Sequence, residues 1–255
     1  MGKHFGHDET SHRTPQVSVV LPTYNEAENM PVIIPQTCSV LARAGIRGEV
    51  IVVDDHSPDG TGEAARRLSE TLPVRVLIRK QERGLATAVI AGFNMSQAQV
   101  CAVMDADGSH PVEKLPELIN PILEGRSDIA VGSRHVSGGQ IGQWPLHRRI
   151  VSSAAALMTL GLTKMSDPTS GFMAVRRSLL QNIDLAPVGW KIVLEIVVKA
   201  ETGRLMEVPI TFNDRERGES KMSLREQWNY IKHLGRLYHF RVNSYRRTKG
   251  VRFPR

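Results

Sequence analysis

The chain has 255 residues, enough for one sizeable core, and with 41% hydrophobic and 23% charged residues it has the composition of an ordinary globular protein. Two cysteines, Cys38 and Cys101, argue against a disulfide framework and for a reducing compartment, and no run of 18 apolar residues offers a membrane-spanning helix. The net charge of +7 admits nucleic acid, anionic lipid or a phosphorylated substrate as partner, so the position of charge along the chain has to choose among them.

Residues 1–16 are polar, carry His4, His7 and His12 and show no signal-peptide pattern; they are expected to form a flexible tail. Val17 to Leu21 is a short apolar strand, turned by Pro22, Thr23, Tyr24 and Asn25 toward a helix that Asn25 or Thr23 caps, with Glu26 and Glu28 in its first turn. Capping accounts for Glu26 but not for Tyr24, an aromatic at a strand mouth, where a nucleobase can stack. Glu49 to Asp55, EVIVVDD, is nearly all β-branched and reads as a central strand covered on both faces. It ends in Asp54 and Asp55, either of which suits the ring nitrogens of a base. Ser57, Asp59 and Thr61 then satisfy backbone donors in the turn before a helix near Gly62 to Leu72.

A third strand, Val74 to Ile78, leads through Arg79, Lys80, Glu82 and Arg83 to a helix near Leu85 to Ala98. This basic group faces either a diphosphate or solvent. The fourth strand, Val100 to Met104, ends in carboxylates at alternate positions, Asp105 and Asp107, before Gly108, Ser109, His110 and Pro111 break it. Two carboxylates so placed suit Mg²⁺ or Mn²⁺ on a diphosphate, because such hard cations take oxygen ligands and keep positions open for phosphates. Strand–helix units in series predict a mostly parallel sheet covered by helices, whose ligands collect at the carboxyl ends of the strands. The carboxylates of strands two and four fall on that edge. A dinucleotide fold and a P-loop are both excluded, since PTYNEAEN follows the first strand and no G-x-x-x-x-G-K-[ST] occurs.

Beyond a helix near Val112 to Leu123, the strand Asp128 to Arg134 ends in Arg134 and a glycine-rich loop leads to Trp144. Leu146 to Leu162 reads as a helix with a basic start, including Arg148, and an apolar remainder; an interfacial and a buried helix are both open. DPTSG, Asp167 to Gly171, is a polar loop that can return to the site as a substrate-facing turn before the strand FMAVR. A helix near Lys191 to Thr202 carries Glu195 on an apolar face, and a strand follows from Met206 to Phe212. The loop Asn213 to Ser223 holds Arg215 and Lys221; it either closes over phosphates or is solvated. From Lys221 onward ten basic residues face one acidic residue, Glu226. There Leu224, Trp228, Ile231, Leu234, Leu237 and Tyr238 recur at helical spacing, which fits an anionic membrane, a core contact or RNA.

Taken together, VVLPTYNEAENM, IVVDDHSPDGTG, RGLATA, MDADGSHP, VGSR, DPTSGF, EVPITF and RGESKM resemble the dolichyl-phosphate and polyprenyl-phosphate mannosyltransferases of glycosyltransferase family 2, from about Val17 to Phe240. The resemblance implies a single nucleotide-sugar-binding α/β domain of the glycosyltransferase A type with interfacial amphipathic helices. It divides the chain into a flexible tail at 1–16, a catalytic domain at 17–222, an amphipathic helix at 223–241 and a basic tail at 242–255. The implied reaction is inverting transfer of mannose from GDP-mannose to a polyprenyl monophosphate, giving polyprenyl phosphate β-mannose and GDP. Pro22, Tyr24, Glu26, Val53, Asp54 and Asp55 would hold the donor nucleotide. Asp105, Ala106 and Asp107 would form the donor and metal site, with Mg²⁺ or Mn²⁺ on Asp105 and Asp107. Arg134, Arg215 and Lys221 would contact phosphates, and Arg148 the lipid phosphate. On this resemblance Asp107, Arg134 and Arg215 would carry the chemistry.

Ser109 departs from the pattern, since many relatives place Gln there, often as a further metal contact. Many relatives also continue into transmembrane helices, so attachment here is expected to be peripheral, at the cytoplasmic face of an anionic membrane, with a membrane-anchor subunit possible and nucleic acid excluded as a partner. The same reaction with UDP-glucose is the nearest alternative. Sugar-phosphate nucleotidyltransfer lacks its early glycine-rich loop, and a basic membrane- or RNA-binding scaffold leaves the strand-end carboxylates without a purpose. No Q-x-x-R-W signature of processive synthases is present.

Overall fold

In the computed structural model, residues 14–141, 154–186, 191–212 and 224–248 are described. Alternation of apolar strands with amphipathic helices builds β1 (Val17–Thr23), α1 (Met30–Arg43), β2 (Gly48–Asp54), α2 (Thr61–Leu68), β3 (Val74–Ile78), α3 (Leu85–Met95) and β4 (Val100–Val103). After α4 (Leu115–Leu123) come β5 (Ile129–Ser133), β6 (Gln140–Ile141), β7 (Met173–Arg176), α5 (Ile192–Lys199), β8 (Leu205–Pro209), β9 (Thr211–Phe212) and α6 (Leu224–Thr248). The main sheet has seven strands in the order β3-β2-β1-β4-β7-β5-β8.

β2 and β3 lie to one side of β1 and β4 to the other, all parallel. The chain must therefore cross back over β1 through α3. α1, α2 and α4 pack on one face of the sheet, while α3, α5 and α6 pack on the other. Strand order thus reverses between β1 and β4, and a crevice opens outside their carboxyl ends. Close approach of α3 to the sheet depends on Gly92: a Cβ there would meet Val20 Cγ1 at 2.4 Å and Val53 Cγ2 at 3.2 Å.

The mostly parallel sheet expected from the strand–helix rhythm is present with one exception. β7 runs antiparallel between β4 and β5. Its reversal follows from where it starts: the DPTSG turn lies at the carboxyl edge beside Asp105, so a strand leaving that turn has to run back through the sheet. The late strand also divides at Ile210, and β9 leaves the main sheet to pair with β6. The first helix begins at Met30 rather than beside Asn25, because Asn25 adopts a left-handed conformation with φ +61°.

One further boundary differs from expectation. α6 continues to Thr248, whereas the amphipathic helix was expected to end at 241. Glu201 anchors the extra turns by accepting a hydrogen bond from Ser244 and lying 3.8 Å from Arg241. The apolar residues of α6 also divide between two faces. Leu234 and Leu237 are buried against the sheet's helix layer, while Trp228, Ile231, Tyr238, Val242 and Tyr245 are exposed. Tyr230 and Tyr238 donate to the carbonyls of Ala155 and Met158 at 3.0 and 2.9 Å, which fixes the helical segment 154–157 alongside. That segment exposes Leu157, Met158 and Leu160, Leu157 at 66%. The start of the predicted 146–162 helix, with Arg148, lies outside the described residues.

Candidate active site

Backbone pairing alone assembles most of the predicted nucleotide contacts. Pro22 of β1 sits opposite Val53 of β2, and Thr23 opposite Asp54. The ladder continues into the loops, with Asp55 N–H donating to Thr23 O at 3.1 Å and Met104 N–H to Val20 O at 3.2 Å. Pro22, Tyr24, Val53, Asp54, Asp55, Asp105, Ala106 and Asp107 therefore share one sheet edge. Glu26 follows in the loop after β1. Arg134 joins them from the end of β5, which runs in the same direction.

The turn after β2 does more than close on itself. Asp59 accepts from the N–H of Thr61 at 3.0 Å, as a local turn requires, but also from that of Ala27 at 3.0 Å. Ser57 Oγ accepts from Asn25 N–H at 2.9 Å and Thr61 Oγ1 from Glu26 N–H at 2.8 Å. These side chains thus hold the Tyr24–Ala27 loop over the crevice. They satisfy donors that a non-helical loop would otherwise leave to water. Tyr24 is 39% exposed, with the Arg83 guanidinium 5.2 Å from its ring centroid. Such a pair leaves a flat aromatic and a planar cation at the mouth of the crevice, both able to stack on a base.

Asp54 and Asp55 are both buried and already serve the protein. Asp54 accepts from Ser57 N–H at 3.1 Å and Ser57 Oγ–H at 2.5 Å. Asp55 binds the Arg79 guanidinium through Nε at 2.7 Å and through Nη2, and accepts from Gly84 N–H at 2.7 Å. Arg79, expected to face a diphosphate or solvent, does neither: it is buried against Asp55, Thr87 and the Gly84 carbonyl. A buried guanidinium demands a carboxylate partner, and Asp55 supplies it.

At the end of β4 the chain turns through Gly108 at φ +76°, a left-handed position that brings Ser109 N–H to Asp107 Oδ1 at 3.0 Å. Asp107 is buried and the Asp105 side chain is 27% exposed. His110, which the sequence marks only as a strand breaker, holds the backbone at the first carboxylate. Its Nδ1 accepts the Asp105 backbone N–H at 3.0 Å, which leaves the neutral ring's proton on Nε2, 4.0 Å from Asp105 Oδ2. The ring stacks on Phe172 at 5.1 Å and meets the Phe212 edge at 5.6 Å. Burial pulls its pKa below the usual histidine value, against Asp105 and Asp107, which favour the cation. The buried Ser109 Oγ, beside the carboxylate pair, has no hydrogen-bond partner among the described residues.

Arg134 is held by a carboxylate 33 residues away. Its Nε and Nη2 each reach Asp167 at 2.7 Å, its backbone N–H reaches the same carboxylate at 3.0 Å, and Nη2 also donates to Thr169 Oγ1 at 2.6 Å. Burial alone would raise the Asp167 pKa, but the hydrogen bonds and charge of Arg134 outweigh it and hold the carboxyl below the usual range. Glu207 of β8 accepts from Ser166 and Asp167 N–H and so fixes the DPTSG turn. At Gly171 a Cβ would lie 3.4 Å from His110 Cε1 and 3.8 Å from Asp105 Oδ2, which confirms that this turn returns to the site.

Lys191, before α5, also enters this cluster: its Nζ donates to Thr169 O at 3.2 Å. No motif singles it out in the sequence, and neither did one mark Asp167 as the partner of Arg134. Arg148, Arg215 and Lys221 lie outside the described residues.

The carboxylates fit a substrate-borne cation rather than a caged one. Asp105 and Asp107 offer oxygen ligands at the crevice, and among the described residues no group of three or more His, Cys, Asp or Glu side chains is placed to hold a metal ion by itself. One or two carboxylates plus substrate phosphates is the usual coordination of Mg²⁺.

A sheet whose order reverses beside such carboxylates, with an exposed aromatic at the mouth of the crevice, has the architecture of a nucleotide-sugar-binding α/β domain of the glycosyltransferase A type. The family description "Glycosyl transferase family 2" matches residues 18–184. The chain is 43% identical to a dolichol-phosphate mannosyltransferase of Pyrococcus furiosus over 87% of its own length and 63% of that protein's. It is 40% identical to an undecaprenyl-phosphate mannosyltransferase of Micrococcus luteus, covering 82% of this chain and 88% of that one. A solved glucosyl-3-phosphoglycerate synthase of Mycobacterium tuberculosis, in complex with Mn²⁺, UDP-glucose and glycerol 3-phosphate, shares the fold with a TM-score of 0.60 at 17% identity, over 94% of this chain and 82% of that one. The chain belongs to glycosyl transferase family 2 and is a glycosyltransferase.

Proposed function

We propose that this enzyme transfers mannose, with inversion, from GDP-mannose to a polyprenyl monophosphate at an anionic membrane surface. The observation that carries this reading is the meeting, at one sheet edge, of a carboxylate pair suited to a metal-bound diphosphate with the cations Arg134 and Lys191, suited to an anionic acceptor. The relatives' own substrates narrow the sugar and the acceptor. The exposed apolar rows of α6 and residues 157–160 offer a place for a lipid chain or a bilayer surface. Among the described residues no helix is long and apolar enough to cross a membrane.

Asp105 and Asp107 would hold Mg²⁺ or Mn²⁺, which neutralises the diphosphate leaving group when bound. Tyr24 stacks on the base, with Pro22, Glu26, Val53 and the Asp54–Asp55 pair lining the nucleotide side and Ala106 between the two carboxylates of the donor site. A phosphate monoester is already anionic at neutral pH, so no side chain has to take its proton. The protein's work is alignment of a phosphate oxygen with the anomeric carbon and stabilisation of charge as the bond to the diphosphate breaks. Arg134, Arg148, Arg215 and Lys221 are the proposed phosphate contacts. Attack from the face opposite GDP turns an α-mannosyl donor into a β-mannosyl phosphate.

The test is transfer of labelled sugar from GDP-mannose, UDP-glucose and UDP-N-acetylglucosamine to a short polyprenyl phosphate. Labelled lipid from GDP-mannose alone is the expected result. Product from UDP-glucose instead would overturn the donor, and product from none with folded protein would overturn the acceptor class.

A further inference from the structure

The segment between β3 and α3 is tied at both of its ends to the end of β2. Arg79 N–H donates to Asp54 O at 2.8 Å, the Arg79 guanidinium binds Asp55, and Gly84 N–H donates to Asp55 Oδ2 at 2.7 Å. Arg83 therefore has its backbone one residue from a buried anchor, while its side chain is exposed. That side chain reaches toward β1: its guanidinium carbon stands 5.2 Å from the centroid of the Tyr24 ring. Glu82, its neighbour in the chain, lies 3.6 Å from Arg79 instead, and Arg83 has no carboxylate partner among the described residues. Arg83 thus spans the gap from Asp55 to Tyr24 with its backbone fixed and its head group held only by the aromatic face.

A nucleobase that stacks on Tyr24 and reaches Asp55 has to occupy the same gap. Flat groups stack at about 3.5 Å, so a base between the ring and the guanidinium needs about 7 Å. The 5.2 Å present is too little. The guanidinium must give up the tyrosine when a base arrives, and the anchors at Arg79 and Gly84 keep it within a side chain's length of the place it left. We infer that Arg83 is a nucleobase contact, passing from the Tyr24 ring to the outer face of the base and closing the base between an aromatic and a guanidinium; this rests on the nucleotide-sugar donor of the reaction proposed above.

The exchange favours the bound state. A guanidinium is attracted weakly to an exposed ring and more strongly to a face from which water is excluded. With the base in place, Tyr24 gains a stacked plane and Arg83 covers a face that would otherwise meet water. Because the backbone of Arg83 is already ordered, the move costs side-chain freedom alone. Arginine suits the task better than lysine, since a planar guanidinium stacks and an ammonium does not. Stacking reads no base edge, so this contact holds guanine and uracil alike and leaves the choice between them to other groups.

Calorimetric titration of the full chain with GDP, UDP and inorganic pyrophosphate, each with Mg²⁺, separates the base from the diphosphate. Arg83→Ala is expected to raise the GDP Kd by about 3- to 30-fold, the range of a cation–π contact from exposed to desolvated, with the pyrophosphate Kd and the melting temperature unchanged. Arg83→Lys keeps the charge and loses the plane, so it should recover only a small part of the loss.

An unchanged GDP Kd in Arg83→Ala would overturn the inference. Full recovery by Arg83→Lys, or an equal loss of GDP and pyrophosphate binding, would also overturn it, by reducing Arg83 to a charge near the diphosphate. Wild type that prefers UDP to GDP, with the same loss of UDP binding in Arg83→Ala, would remove the guanosine donor and leave the inference standing. Wild type that binds neither nucleotide more tightly than pyrophosphate would overturn both.

Discussion

Asp107→Asn is expected to lower sugar transfer about a thousandfold while the protein stays folded. The substitution keeps the shape of the side chain and an oxygen for the Ser109 N–H, so the turn at Gly108 survives. What disappears is one of two negative charges at the crevice. A carboxylate-bound metal contributes several kcal/mol of charge stabilisation to a departing diphosphate, and about 1.4 kcal/mol corresponds to a tenfold change in rate. Removing one of two neighbouring like charges should also leave thermal stability equal or slightly higher, as at other sites where function and stability compete. Initial rates at saturating Mg²⁺ or Mn²⁺, with a melting curve on the same preparation, check both halves. Turnover within a few fold of wild type would remove Asp107 from the metal site.

Asp167→Asn is expected to cost about 3–5 kcal/mol of stability and most of the activity. Asp167 is fully buried and binds the equally buried Arg134 through both of its carboxylate oxygens. Breaking a buried pair by removing one partner leaves the other charge uncompensated, a far larger effect than losing a surface ion pair. The pH dependence gives the sign. The Asp167 pKa is depressed in the folded state, so its contribution is complete above the ordinary carboxylate value near 4 and is lost as pH falls toward the folded value. Wild type should therefore lose stability through that acid range more steeply than Asp167→Asn. Urea midpoints between about pH 5 and pH 2.5 measure this. Parallel curves for the two proteins would show that the pair does not carry the stability assigned to it.

These two positions differ in how readily the sequence discloses them. Asp105 and Asp107 stand out because charges interrupt an apolar strand at its carboxyl end, and strand–helix alternation says where such ends collect. Asp54 and Asp55 stand out for the same reason, yet Arg79, the partner of Asp55, becomes known only once β2 and β3 lie side by side. Asp167 and Arg134 are separated by 33 residues and are joined only because β7 enters the sheet backwards from the DPTSG turn. Periodicity carries no information on that reversal. Lys191 is equally silent, a single lysine before an apolar helix. In α6 the helical spacing is plain, but the division of its apolar residues into a buried and an exposed row depends on where α5 and residues 154–160 pack. The helix end was misplaced because residues 242–248 are polar enough to pass for a tail, whereas Glu201 secures Ser244 and Arg241 from another element.

The central claim is that the β1–β4 edge binds a guanosine diphosphate sugar through a cation held by Asp105 and Asp107. Calorimetric titration of GDP-mannose into the full chain, with Mn²⁺ and then with EDTA, tests it most directly. Binding with Mn²⁺ that weakens by at least about tenfold in EDTA, and that is lost in Asp107→Asn, is the predicted result. Equal affinity in EDTA, or undiminished metal-dependent binding by Asp107→Asn, would contradict the account.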